Sequence, residues 1–416
     1  MAADPRSLPF LPYARQTVTD ADVEAVAAVL RSDWLTTGPA VDRFEAALAE
    51  ACGAAHAVSC ATGTAALHLV LLAAGLGPGD AAIVPAITFM ATANAVCMTG
   101  AVPVFADVDA ETGLMTPASA AAAADRAAAA GLRVAAVMPV HLAGQCLAPE
   151  AMQAFAASRG AAVIEDACHA LGAAYRRSDG TTPPVGACRD SLAATFSFHP
   201  AKTVACGEGG AVLTNDAELA ARMRRLRAHG IERQADRHLQ PDLALAPDGQ
   251  PNPWYHEMQA LGWNYRLSDI HAALGASQLD RLPALVAARH DLADRYDAAL
   301  ARFGNLARCI ARVPDCAPAW HLYPALIDFT AAGTDRGTVM RRLQAAGIGT
   351  QVHYIPVPWQ PWYRERWPAP DLPGAASYYA RTLSLPFYPG LGPAEVERVA
   401  AALADALGDD GALQGP

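Results

Sequence analysis

Residues 196–216 read FSFHPAKTVACGEGGAVLTND, and Lys202 within them is the single lysine of a 416-residue chain. Lysine and arginine together number 31, so the other 30 basic side chains are arginine. The amine of a lysine can shed its proton and attack a carbonyl; a guanidinium effectively cannot. A plain surface charge would follow the habit of this chain and be arginine. Most lysines are solvated surface charges. A lone one between an apolar run and the turn residues GEGG reads instead as a nucleophile or Schiff-base former.

The flanks of that stretch set the fold class. LAATFSF (192–198) and GGAVLTN (209–215) are strand candidates, as are HAVSC (56–60), AAIVP (81–85), VPVFADVD (102–109), VAAVMPV (134–140) and AAVIED (161–166). DADVEAVAAVLR, TAALHLVLLAAGL, FMATANAVCMTG and PEAMQAFAASRG have helical spacing. Apolar strands alternating with helices predict an α/β fold, a mostly parallel central sheet sandwiched by helices. Ligands of such sheets sit beyond the carboxyl ends of the strands.

From about residue 230 the texture changes. A long polar, turn-rich segment runs to about 266, and loops of that length are usually functional or disordered. LSDIHAALGASQLDRLPALVAARHDLADRYDAAL then reads as a long helical stretch. Beyond about 308, strands (WHLYPALIDF, IGTQVHYIP) mix with helices (DRGTVMRRLQAAG, PAEVERVAAALADAL), which predicts a smaller C-terminal α+β domain.

Bulk properties exclude several classes. A net charge of −10 and a pI near 5.6 argue against a nucleic-acid or anionic-membrane surface. Nine scattered cysteines, with no C-x-x-C pair, suit buried thiols in a reducing compartment. No signal-like segment and no apolar run of about 18 residues is seen, so a cytoplasmic protein is expected. The twelve histidines show no H-E-x-x-H spacing, and no metal site is expected.

A Schiff-base lysine implies an aldehyde, and pyridoxal 5′-phosphate (PLP) is the common one. Its ring nitrogen needs a carboxylate, and Asp166 at the end of AAVIED is well placed, although an Asp there also caps helices. Its phosphate needs N–H groups at a helix start, which Gly63 and Thr64 in SCATGTAALHLVLL can offer, with the Ser197 hydroxyl beside them. Phe89 can cover the ring, and His169 can donate to its 3′ oxygen. Taken singly, Phe89 and His169 are as readily core or helix residues.

EDACHALGAAY, FSFHPAKTVACGEGGAVLTND, LGWNYRLSDIHAALGASQLDRL and VHYIPV together resemble the DegT/StrS-type sugar-nucleotide aminotransferases, from LPYARQTVTDADVEAV to ARTLSLPFYPGL. The resemblance implies the PLP-dependent transferase fold type I. It divides the chain into residues 1–265, a large PLP-binding α/β domain with an N-terminal substrate segment, and 266–416, a linking helix with the small domain. It implies that Lys202 holds PLP as a Schiff base and that Asp166 pairs the ring nitrogen. It implies as well that His169 sits near the 3′ oxygen, that Gly63, Thr64 and Ser197 hold the phosphate, and that Phe89 stacks on the ring. It further implies that Asn264 reaches the phosphate of a neighbouring subunit in a homodimer with shared active sites. Tyr13, the loop Asp33-Trp34-Leu35-Thr36, and Val352-His353-Tyr354-Ile355 are implied to contact the sugar nucleotide. His353 and Tyr354 read equally well as an amphipathic strand.

Relatives that dehydrate or deoxygenate sugars carry histidine where this chain has Lys202, so transamination is implied, with L-glutamate as donor. QPDLALAPDGQPNPWYHEMQALGWNYRLSDIHAALG and HYIPVPWQPWYRERW are similar to the branch that makes UDP-4-amino-4,6-dideoxy-N-acetyl-β-L-altrosamine, on the route to pseudaminic acid. A GDP-perosamine-type or dTDP-sugar aminotransferase is the alternative within the class. A non-catalytic PLP or sugar-nucleotide binding protein is the alternative outside it.

Overall fold

The computed structural model describes residues 9–408. Its central sheet holds seven strands. These are β1 (His56–Cys60), β2 (Asp80–Pro85), β3 (Val102–Ala106), β4 (Arg133–Val137), β5 (Ala162–Asp166) and, after the short β6 (Ala174–Tyr175) that pairs elsewhere, β7 (Ala193–Ser197) and β8 (Gly210–Thr214). The spatial order is β1-β8-β7-β5-β4-β2-β3. The run from β7 to β3 is parallel, and β8 is antiparallel to both its neighbours. All seven strand candidates form this sheet, each within a few residues of its expected span.

The sheet is covered on both faces because its strands are apolar on both. Successive side chains point to opposite sides of a strand. Ile83, Val137 and Val163 pack with the helices Pro117–Ala129 and Pro149–Ser158. Ala82, Val84, Ala136 and Ile164 face the other way, into the core under the helices Gly63–Ala73 and Ala91–Met98. In chain order the N-terminal helices are α1 (Asp20–Leu30), α2 (Pro39–Cys52), α3 (Gly63–Ala73) and α4 (Ala91–Met98). Thr62 caps α3, accepting from Ala65 N at 3.0 Å.

A hairpin of β9 (Ile231–Glu232) and β10 (Glu257–Met258) frames the long polar segment. A second, antiparallel sheet follows, built from β11 (Ala307–Cys309), β13 (Tyr323–Ile327) and β14 (Thr382–Leu385), while β12 (Cys316–Ala317) reaches back to pair with β6. The helices Leu282–Leu300, Arg336–Ala345 and Pro393–Leu407 pack with it.

Two expectations need correction. The long helical stretch is two helices, Asp269–Leu279 and Leu282–Leu300, because Pro283 opens the second and cannot continue the first. The first packs against α1 and α2. IGTQVHYIP is not a strand: only Ile348 and Gln351 make single bridges, to Leu11 and Ser384. Past Gln351 the chain leaves the sheet edge and crosses a cavity, and Pro356 and Pro358 have no N–H to continue a ladder. Among the described residues no helix is long and apolar enough to cross a membrane.

Candidate active site

A cavity of about 620 Å³ opens at the carboxyl ends of β5 and β7. That is the size range of small-ligand sites. Lys202 lines it, in the turn between β7 and β8. Part of its surface opens to the cavity, but protein surrounds the rest. This desolvation pulls the ammonium below the usual lysine range, against the opposing pull of Cys168 and Asp166. An amine of that kind is a better nucleophile near neutrality.

Asp166, the last residue of β5, is buried in the same cavity. Its Oδ2 accepts from the Thr92 hydroxyl at 2.7 Å and its Oδ1 from Cys168 N at 3.2 Å. Among the described residues no arginine or histidine forms an ion pair with it. A buried carboxylate of this kind has unfilled capacity for a cationic N–H donor.

Gly63 opens α3 against the end of β7. A Cβ there would lie 2.7 Å from Ser197 Cβ and 3.1 Å from its hydroxyl. Thr62 already serves Ala65 and Ala66, so the N–H groups of Gly63 and Thr64 have no acceptor among the described residues. Two free N–H groups, a helix N-terminus and the Ser197 hydroxyl converge on one wall of the cavity. That is an anion cradle.

His169 is buried beside Lys202. Burial, then the charge of Lys202 and of His353, hold its pKa well below the usual histidine value, so the ring is neutral. Ala143 N donates to its Nδ1 at 3.3 Å, which leaves the proton on Nε2. Nε2 lies 3.3 Å from the Tyr354 hydroxyl, so His169 presents a donor to the cavity. Phe89, 52% exposed, lines the cavity with its ring centroid 6.0 Å from that of Tyr354.

Tyr13, Val352, His353, Tyr354 and Ile355 form a further wall. His353 Nδ1 lies 2.8 Å from the Ser384 hydroxyl, and burial with the Lys202 charge drives its pKa to about 3. The expected cofactor set therefore comes together except for Asn264, which is exposed on the long segment and bridged to Ala228.

The loop Asp33-Trp34-Leu35-Thr36 also lies outside the cavity of its own chain. Asp269 N donates to Leu35 O, and the Asp269 carboxylate accepts from Gly38 N and Ala40 N, both at 2.8 Å. These bonds pin the loop to the start of the helix Asp269–Leu279.

Two residues escaped the sequence reading. Thr92 carries the hydrogen bond to Asp166, and its only linear signal is its place in the first turn of a helix after Phe89. His321 lines the cavity with its ring centroid 4.3 Å from that of His169. Nothing in WHLYPALIDF marks it apart from a core histidine.

The model of the DegT/DnrJ/EryC1/StrS aminotransferase family matches residues 16–404. The chain belongs to that family. It is a PLP-dependent sugar aminotransferase. The spore coat polysaccharide biosynthesis protein SpsC of Bacillus subtilis is 37% identical over 399 residues, 95% of this chain and 97% of its own length. The structure of Helicobacter pylori PseC, an aminotransferase involved in the biosynthesis of pseudoaminic acid, superposes with a TM-score of 0.83. It is 28% identical and covers 96% of this chain and 99% of its own. DesI, solved in the presence of its TDP-sugar product, superposes with a TM-score of 0.81 at 32% identity, over 97% and 94% of the two chains. The donor set fits the cofactor of the family: a lysine amine, a buried carboxylate lacking a cation, and an anion cradle that a Cβ at Gly63 would fill.

Proposed function

We propose that the protein moves the amino group of L-glutamate to C4 of a UDP-linked 4-keto-6-deoxy-N-acetylhexosamine. The product is then UDP-4-amino-4,6-dideoxy-N-acetyl-β-L-altrosamine, a precursor of pseudaminic acid. The observation that carries the transaminase reading is the meeting, in one cavity, of the single lysine with Asp166. The choice of sugar is supported by the likeness to PseC along nearly the whole of both chains.

PLP, when bound, supplies an aldehyde carbon and an electron-accepting ring. Lys202 would hold the aldehyde, Asp166 the ring nitrogen and His169 Nε2–H the 3′ oxygen. Gly63, Thr64 and Ser197 would hold the phosphate under the cover of Phe89. As a free amine, Lys202 Nζ would take the proton from the α-carbon of the donor. In the second half-reaction it delivers one to C4 of the sugar. Desolvation serves both steps, since it favours the neutral amine that must accept the first proton. Thr92 holds the Asp166 carboxylate in orientation.

Tyr13 and Val352–Ile355 form the wall proposed to meet the sugar nucleotide. Asn264 is assigned to the phosphate of a neighbouring copy, which makes the active unit a homodimer. Leu239, Leu243, Trp254, Met258 and Leu261, all strongly exposed on the same segment, support that reading. The exposed loop Asp33–Thr36 is assigned to the substrate at the junction of the two copies. The division of the chain at 265/266 and a cytoplasmic setting belong to the same proposal.

A second reading keeps the chemistry and changes the sugar to a TDP-linked one; the likeness to DesI favours it. Incubation with glutamate and UDP-, TDP- or GDP-linked 4-keto sugars, followed by mass spectrometry of the products, decides between them. Amination of the UDP sugar alone upholds the proposal; preference for another nucleotide overturns it.

A further inference from the structure

Behind the wall that carries His169 lies a pair of thiols that the transamination reading does not use. Cys146 Sγ and Cys316 Sγ are 3.5 Å apart, and Cys146 N donates to Cys316 Sγ at 3.3 Å. The two residues are 170 apart in sequence. Cys146 is fully buried, whereas Cys316, at the start of β12, is half-buried.

The backbone around the pair is already fixed. Ala319 N donates to Gly144 O at 3.1 Å, His321 N to Ala143 O at 2.9 Å, and β12 pairs with β6. A Cβ on Gly144 would lie 2.0 Å from Ala319 O, so the two segments touch through their backbones. The sulfurs are therefore held face to face by contacts that do not depend on them. Closing a 3.5 Å gap to a bond length of about 2.05 Å takes small side-chain rotations rather than a new fold.

We propose that Cys146 and Cys316 form a peroxide-reactive dithiol, a modification site that closes reversibly into a disulfide. Cys316 is the attacking sulfur, because it alone of the two reaches the surface. The Cys146 thiol, followed by the Cys146 N–H, helps hold its pKa down to about 7, while the Cys146 thiol itself is pushed up. A thiolate is the reactive form, and few buried thiols have one.

The chemistry balances. The Cys316 thiolate attacks one peroxide oxygen, the O–O bond breaks, and the leaving hydroxide takes a proton to become water. The sulfenic acid on Cys316 is then attacked by Cys146 sulfur. The S–O bond breaks, and the proton of Cys146 leaves with the hydroxide as a second water. Two thiols lose two electrons and two protons to one hydrogen peroxide.

The remaining cysteines serve as internal controls. Cys97, Cys168 and Cys309 are also half-buried, but none has a sulfur partner among the described residues. Tryptic cleavage puts Cys146 alone in fragment 134–159 and Cys316 alone in fragment 313–336. The test treats the holoenzyme with equimolar hydrogen peroxide, blocks free thiols with iodoacetamide and maps the peptides without reductant.

The expected result is one cross-link between these two fragments, two hydrogens lighter than their sum and reversed by dithiothreitol. In Cys146→Ser, the expected result is a dimedone-trappable sulfenic acid on Cys316 and no cross-link. Cross-linking of other cysteines at equal yield, or two blocked thiols at 146 and 316 after treatment, overturns the proposal. The mapping needs no sugar substrate, so it stands or falls apart from the assigned reaction.

Discussion

The Thr92 hydroxyl donates a 2.7 Å hydrogen bond to Oδ2 of Asp166 and fixes the one buried carboxylate of the cavity. The bond joins the first turn of α4 to the end of β5. A hydrogen bond to a charged group is worth about 1.5–3 kcal/mol. Thr92→Val keeps the shape and removes the donor. It is expected to lower kcat/KM by about tenfold or more while the fold is retained, and to weaken PLP retention. Steady-state kinetics with a PLP titration check this. Wild-type values in both would show that Asp166 needs no orienting partner.

Gly63 has no room for a side chain. A Cβ would press on Ser197 Cβ at 2.7 Å, and both residues line the cradle assigned to the phosphate. Overpacking of this kind costs about 1–3 kcal/mol. Gly63→Ala is expected to bind PLP about 5- to 100-fold more weakly, with a smaller effect on the fold, because the strain falls at the rim of the cavity. Fluorescence titration of the apoprotein is the measurement. Unchanged affinity would remove the phosphate from this wall.

Much of this was legible in the sequence, for a physical reason. The seven sheet strands are short apolar runs bounded by turn residues, and local composition suffices to mark them. Lys202, Asp166, Gly63, Ser197 and Phe89 were legible because each sits at the end of such a run, where this fold places ligands. Thr92 and His321 were not, because their meaning lies in contacts across the fold, 74 residues away for Thr92 and Asp166. The segment 348–356 misled because its alternating pattern suits a strand, while its path is set by the cavity it crosses. The place of Asp33–Thr36 was hidden too, since the Asp269 carboxylate that anchors the adjoining residues comes from 229 and 231 positions further on.

That anchor has its own consequence. Asp269 is buried and accepts two backbone N–H bonds at the start of α2. Asp269→Ala leaves both donors without their acceptor and is expected to destabilise the protein by about 2–5 kcal/mol. Urea denaturation should show the loss, and limited proteolysis should cut first within 32–40. Wild-type stability would mean that the loop is held by other contacts.

The three buried imidazoles that line the cavity, His169, His321 and His353, have pKa values below the ordinary one, with burial the first cause in each. Unfolded, each titrates near pH 6.5. Between that value and the lowered one, the unfolded chain binds more protons than the folded chain, so stability falls as pH falls. For His353 the window runs from about 6.5 down to about 3. Each imidazole adds a slope of up to about 1.4 kcal/mol per pH unit. Urea unfolding of the apoprotein at pH 7.0, 6.0 and 5.0 (conditions chosen to span roughly the upper part of that window) should show steady loss of stability. His353→Asn should flatten the slope by about one proton. An unchanged slope would mean that His353 is charged in the folded protein.

The central claim is that Lys202 bonds covalently to the cofactor, and borohydride reduction of the holoenzyme followed by tryptic mapping tests it most directly. Modified Lys202 resists trypsin, so the account predicts a single fragment spanning 190–222 that carries the reduced cofactor. Cleavage after Lys202, with the label elsewhere or absent, would contradict it.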